Sequence, residues 1–236
     1  MESEMDAYWK SHEAFMRSYQ TLGVIGDDGD KPRFLEFYIS KGAELKNPMD
    51  PSSGETGSLI YMMSETYLTP QAIPKHFELA AKHWDGFKKL PEYMEKYGIV
   101  TQVGQAKVIT CFQETGLPFQ ISKGSSCLHM TMRVPVAKEA EMDSYWTEHE
   151  AAVRKTHTMG TAGDDSKAPR ITSFYVAKGK ELKNPMDPTS AETGTLIYQM
   201  SETYAAPEGI PKHMEIMGAK WAGMATLPQK IKDYGL

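Results

Sequence analysis

Residues 2–99 recur at positions 139–236 without an insertion or deletion, and 53 of the 98 aligned pairs are identical. Met5-Asp-Ala-Tyr-Trp-Lys-Ser-His12-Glu falls on Met142-Asp-Ser-Tyr-Trp-Thr-Glu-His149-Glu, and Lys41 through Tyr67 falls on Lys178 through Tyr204. A long fixed period makes the repeat, rather than the whole chain, the unit that folds. It also supplies an internal comparison. Any residue kept in both copies has survived divergence that changed nearly half of its neighbours.

Each copy reads helix, strand, strand, helix. Tyr8, Trp9, His12, Phe15 and Met16 recur at three- and four-residue spacing, which predicts a helix from about Ser3 to Thr21 with those side chains on one face. Gly23 closes it, and Gly26-Asp-Asp-Gly-Asp-Lys-Pro is a turn cluster. Arg33-Phe-Leu-Glu-Phe-Tyr-Ile-Ser reads as a strand, and a polar loop from Lys46 to Gly57 leads to a second strand over Ser58–Tyr67. The helix that follows takes Pro74 in its first turn, where the missing N–H costs nothing, and breaks near Pro91.

Between the copies, Val100–Phe112 and Ser126–Val136 read as two further strands. One full period therefore has the split β-α-β order, an antiparallel sheet with both helices on one face. The expected division is a first α+β repeat over 1–113, a linker over 114–124 and a second repeat over 125–236. Neither copy is complete, the first lacking an opening strand and the second a closing one. Three arrangements satisfy this: the chain is a piece of a longer array, the middle strands serve both halves, or unpaired sheet edges join neighbouring molecules into a homo-oligomer.

Composition narrows the function classes. A net charge of −5 leaves no Lys/Arg excess to neutralise phosphates, which argues against a nucleic-acid partner. No apolar run approaches the roughly 20 residues that span a bilayer, and the acidic N-terminus is unlike a signal peptide. Cys111 and Cys127 lie outside the repeated segment and fit free thiols in a reducing, cytoplasmic setting, with one bridge between neighbouring strands as the alternative.

Leu59-Ile-Tyr-Met-Met-Ser-Glu65-Thr-Tyr67, with the turn and the helix opening Ile73-Pro-Lys-His76, resembles the strand-turn-helix signature of the dimeric α+β barrel superfamily. Within it, the closest pattern is that of the antibiotic-biosynthesis-monooxygenase-like group, where a strand ending in Glu-x-Tyr precedes a helix with an early His. The second copy repeats this as Glu202-Thr-Tyr204 and Ile210-Pro-Lys-His213. The resemblance covers the hairpin and second helix of each copy. It implies two tandem ferredoxin-like repeats forming an intrachain pseudo-dimeric α+β barrel. It also implies a small-molecule activity of monooxygenase or cyclase type. The superfamily spans cofactor-free monooxygenases, haem-degrading enzymes, cyclases and binders, so the fold alone does not choose the chemistry. The longer strand-to-strand loop and the permuted ends depart from the family pattern.

His12 and His149 sit one helical turn after Tyr8 and Trp9 and after Tyr145 and Trp146, and an imidazole beside aromatic walls suits a general base. The competing reading is a hydrogen-bonded histidine at the edge of the core. Glu65 and Tyr67, like Glu202 and Tyr204, share a strand face and would orient a polar substrate group or form a rim. The resemblance places His76 and His213 at the mouth of a cavity between sheet and helices, as substrate anchors. The loop Asn47-Pro-Met-Asp50-Pro, matched by Asn184-Pro-Met-Asp187-Pro, is the best-retained loop and reads either as functional or as a proline-built turn.

Linear metal and nucleotide motifs fail. The position four after His12 or His149 is Met16 or Val153, and His83 aligns with Lys220 in the second copy. No phosphate loop or nucleophile elbow occurs. The expectation is therefore a metal-free, cofactor-independent enzyme acting on a small apolar or aromatic molecule, with His12 and His149 as bases. The alternatives are a non-catalytic binding protein for a hydrophobic small molecule or haem, and a structural repeat module.

Overall fold

The structure is a computed structural model and describes residues 2–23, 31–48, 50, 52–98, 106–111, 124–160, 167–185, 187 and 189–235. Residues 26–30 of the expected Gly26–Pro32 turn cluster and most of the 114–124 linker lie outside these residues. The chain is α+β and divides into two compact units. The first covers Met1–Gly98, and the second covers Phe119–Leu236 and takes in the strand at Lys107–Cys111.

In the first unit, helix α1 (Glu2–Tyr19) buries Tyr8, His12, Phe15 and Met16, the stripe that the spacing predicts. A two-residue strand β1 (Thr21–Leu22) then runs parallel to β2 (Arg33–Leu45), which pairs antiparallel with β3 (Glu55–Tyr67). The sheet is mixed, not purely antiparallel as expected. Its parallel pair arises because the chain leaving α1 lies alongside the start of β2, with Thr21 N–H donating to Pro32 O and Gly23 N–H to Phe34 O. Gly23 has φ +124°, a conformation that favours glycine and explains its retention as Gly160 at φ +106°. Helix α2 (Ala72–His83) follows, then a short 3-10 turn and α3 (Leu90–Tyr97). Pro91 begins α3 rather than breaking a longer helix, because the break comes earlier, at the extended Trp84.

In the second unit, β4 (Lys107–Cys111) pairs with β7 (Arg170–Leu182), and β5 (Ser126–Pro135) pairs with β8 (Glu192–Tyr204). Both strands of the unrepeated stretch therefore belong to one sheet, in the order β4-β7-β8-β5. The remaining elements, α4 (Glu139–Thr156), β6 (Thr158–Met159), α5 (Gly209–Lys220) and α6 (Leu227–Tyr234), match those of the first unit in order.

The same polar contacts fasten the first helix of each unit to its sheet. Lys41 Nζ donates to Glu2 and Asp6 while Tyr61 OH donates to Asp6. Lys178, Glu139, Asp143 and Tyr198 repeat this arrangement. The retained Asn-Pro-Met-Asp loop is braced by its own aspartate in both copies. Asp50 Oδ1 accepts from the Ser52 amide and hydroxyl, and Asp187 Oδ1 accepts from those of Thr189. No described helix is long and apolar enough to cross a membrane, and Cys127 Sγ lies 3.8 Å from Thr203 Oγ1.

Candidate functional site

Helical and strand periodicity aim three ionisable side chains of each unit at one point. In the first unit His12 projects from the buried face of α1, Glu65 from the last turn of pleat in β3, and His76 from the first half of α2. His12 Nε2 lies 3.4 Å from Glu65 Oε1, and His76 Nε2 lies 3.8 Å from Glu65 Oε2. Tyr67, two residues along the strand and on the same face, donates its hydroxyl to Glu65 Oε2 at 2.7 Å. Gln20, just past the end of α1, places Nε2 2.5 Å from His76 Nδ1.

Aromatic rings close the site. The Trp84 ring lies over His12 at 4.3 Å between centroids, and Phe37, cross-strand from Glu65, meets His12 at 5.5 Å. Trp84 can lie there because Gly86 has no side chain: a Cβ at Gly86 would sit 2.5 Å from the indole. Gly223 and Trp221 repeat the arrangement at 2.4 Å. Trp9 meets the edge of His12 at 6.1 Å, while Tyr8 stands one layer back, against Trp84 and Tyr93. Of the aromatic walls expected from sequence, Trp9 thus adjoins His12 directly and Tyr8 supports the indole.

The second unit builds the same constellation. His149 Nε2 is 3.5 Å from Glu202 Oε1, His213 Nδ1 is 3.5 Å from Glu202 Oε2, and the Tyr204 hydroxyl donates to Glu202. Trp221 lies 4.5 Å from His149, Trp146 lies 5.7 Å from it, and Tyr145 packs on Trp221 at 4.9 Å. The position of Gln20 is taken by His157, whose Nε2 is 3.0 Å from His213 Nδ1.

Hydrogen bonds settle the tautomers here. Thr156 Oγ1 donates to Ala152 O, so it accepts from His157 Nδ1–H at 2.8 Å. Neutral His157 then offers a lone pair at Nε2, and His213 donates its Nδ1–H to it. That leaves His213 Nε2 with a free lone pair.

Burial sets the charge states. It pushes His12 down to about 4 against the pull of Glu65, and lowers His213 to about 4 and His157 to about 3. His149 falls well below its ordinary value through burial and then through His213 and His157. Burial raises Glu202 to about 8, although the Tyr204 hydrogen bond works the other way. Tyr67 and Tyr204 are held well above the usual phenol range by burial and the adjoining carboxylates.

His12 in the first unit and His149 and His213 in the second are therefore neutral imidazoles beside a carboxyl group, a pattern able to accept and return protons. His12, Glu65 and His76, and likewise His149, Glu202 and His213, also hold ligand atoms all within 4.8 Å of one another, so each set has the composition of a metal centre. The fold thus supplies a candidate ligand set that the linear motifs argued against.

Gln20, Trp84, His157 and Trp221 were not among the residues singled out from sequence. Retention of Trp84 and Gly86 as Trp221 and Gly223 was the available signal for the indoles. The chain matches no protein-family model, no curated protein and no solved structure.

Proposed function

We propose that the protein is an enzyme that moves protons on a small apolar or aromatic molecule, with monooxygenase- or cyclase-like chemistry. The fold that goes with this reading is a duplicated ferredoxin-like form of the dimeric α+β barrel. The observation that carries the activity is the recurrence, in two units that differ at nearly half their aligned positions, of one buried His–Glu–Tyr–His constellation under a tryptophan. His12 and His149 serve as bases, because their imidazoles stay neutral near pH 7, and at His12 the Glu65 carboxyl favours the imidazolium formed by proton uptake. Glu65 and Glu202, held by Tyr67 and Tyr204, would orient the substrate's polar group, with His76 and His213 completing that edge.

The test is turnover of a panel of phenols, quinols and aromatic ketones, followed by oxygen uptake and by solvent deuterium exchange at activated C–H positions. H12A/H149A together should abolish turnover by at least about 100-fold, the low end of a general-base contribution, while far-UV circular dichroism is unchanged. Turnover that survives the double substitution in a folded protein sinks the reading.

A further inference from the structure

We infer that each unit binds one divalent transition-metal ion, ligated by His12, Glu65 and His76 in the first and by His149, Glu202 and His213 in the second. This goes beyond the acid–base reading and stands without it. Where the metal is bound, the base would be a metal-held water rather than the imidazole.

The spacing is the first argument. His12 Nε2 lies 3.4 Å from Glu65 Oε1, and the equivalent His149 Nε2 lies 3.5 Å from Glu202 Oε1; His76 Nε2 stands 3.8 Å from Glu65 Oε2. Good N–H···O hydrogen bonds end at about 3.2 Å. Ligand atoms held about 2.0–2.2 Å from a tetrahedral ion lie roughly 3.3–3.6 Å from each other. The His12–Glu65 and His149–Glu202 pairs are thus spaced as atoms sharing a cation and too far apart for strong direct bonds, and each three-residue set holds its ligand atoms within 4.8 Å of one another.

Unmet bonding capacity is the second argument. Among the described residues, His12 Nδ1 and Nε2, Glu65 Oε1 and Glu202 Oε1 are buried without a hydrogen-bond partner. Orphaned polar atoms in a core cost free energy, and an unpaired carboxylate costs most. That the defect recurs at equivalent atoms of both units, Glu65 Oε1 and Glu202 Oε1, argues for a common ligand rather than local misfit. A cation between His12 Nε2 and Glu65 Oε1 satisfies both atoms, and one beside Glu202 Oε1 satisfies that oxygen, while His12 Nδ1 lies on the far side of its ring.

The surrounding hydrogen bonds prepare the ligands. His213 gives its Nδ1–H to His157 and keeps the Nε2 lone pair, the outer support that metal-bound histidines require. In the first unit, Gln20 Nε2 faces His76 Nδ1 while Gln20 Oε1 has no partner among the described residues. Rotating that amide by half a turn gives up a weak contact to the Met16 sulfur and lets Oε1 accept Nδ1–H, which frees His76 Nε2 for metal. Two imidazoles and one carboxylate suit zinc, iron(II), cobalt(II) or nickel(II), and leave further coordination positions open.

The experiment uses the full chain, stripped with chelator and titrated with cobalt(II), read by visible d–d absorption and by metal content after dialysis. The expected result is two ions per chain, one in E65Q, one in E202Q and none in the double variant. Glutamine keeps the shape of the site and removes its anion. A wild-type chain that holds no cobalt, or a double variant that holds as much as wild type, overturns the inference. X-ray absorption on the wild-type complex avoids dependence on how well the variants fold: nitrogen and oxygen neighbours with imidazole scattering support the site, and a sulfur neighbour overturns it. Metal content is read without substrate, so failure here leaves the acid–base proposal standing, and loss of turnover alone leaves the metal site standing.

Discussion

The two units carry nearly the same hairpin and bury it to different depths. Ile60 on β3 is 51% exposed, while its equivalent Ile197 on β8 is 1% exposed; Leu59 and Leu196 differ as 43% and 4%. Side-chain chemistry is identical at these positions, so propensity and pattern cannot be the cause. The difference lies in the neighbours. β8 is paired on both sides, by β7 and by β5, whereas among the described residues β3 pairs with β2 alone. The same coverage reaches the site. Glu202 has Phe174 and Leu128 as cross-strand neighbours and is fully buried, while Glu65 has Phe37 on one side. One added strand thus turns a partly shielded carboxyl into a fully desolvated one.

The most direct way to break this comparison is to make the same substitution in both hairpins. Ile197→Ala should destabilise its unit by about 2–5 kcal/mol, the range for removing a well-packed branched side chain. Ile60→Ala should cost under about 0.5 kcal/mol, as for exposed positions. Calorimetry of the two variants checks it, and equal losses would mean that β3 is covered in solution as β8 is.

A second prediction sharpens the electrostatic side of the contrast in metal-free protein. Glu202 has its folded value raised to about 8, so its contribution is fully present below the unfolded value near 4.5 and is lost as pH rises through 8. His129, His157 and His213 are lowered to between about 3 and about 4, and His149 is lowered well below 6.5. Their contributions are present above 6.5 and are lost as pH falls toward the folded values. Four histidines outweigh one carboxyl on the acid side, and Glu202 acts alone between 6.5 and 8. Stability of the second unit should therefore peak near pH 6.5 and fall above it by about 1.4 kcal/mol per pH unit. E202Q should flatten that upper limb and leave the acid limb in place, as read from urea unfolding at a series of pH values. In the first unit, His12 contributes an acid limb of the same sign.

Much of this was legible in the sequence, for reasons that also mark where legibility ended. The face of α1 follows from Tyr8, His12, Phe15 and Met16, and the shared face of Glu65 and Tyr67 follows from strand alternation. The two-residue parallel strands were not legible, because Thr21–Leu22 is too short to carry a period. The candidate metal set was hidden because its three residues come from a helix, a strand and a second helix, and a linear motif records only neighbours on one element. Comparing the copies by identity found the retained histidines. It passed over Gln20 and His157, which differ in type yet make the same contact to the Nδ1 atoms of His76 and His213.

That last pair yields the smallest effect and the finest test of equivalence. If position 157 serves only to engage His213 Nδ1, then Gln at 157 is an adequate substitute, since its carbonyl accepts the same N–H. H157Q should change stability at pH 7 by less than about 1 kcal/mol, the net worth of one hydrogen bond exchanged for another. It should also remove one of the four acid-side protons, making the acid limb shallower by about 1.4 kcal/mol per pH unit. Q20H in the first unit should do the reverse, steepening its acid limb. Urea unfolding of both variants at pH 7 and pH 5 measures the two effects together. A loss of several kcal/mol at pH 7 in H157Q would show that the link from Thr156 through His157 to His213 acts as a unit that Gln cannot replace. The two sites would then differ in how they move protons as well as in how deeply they are buried.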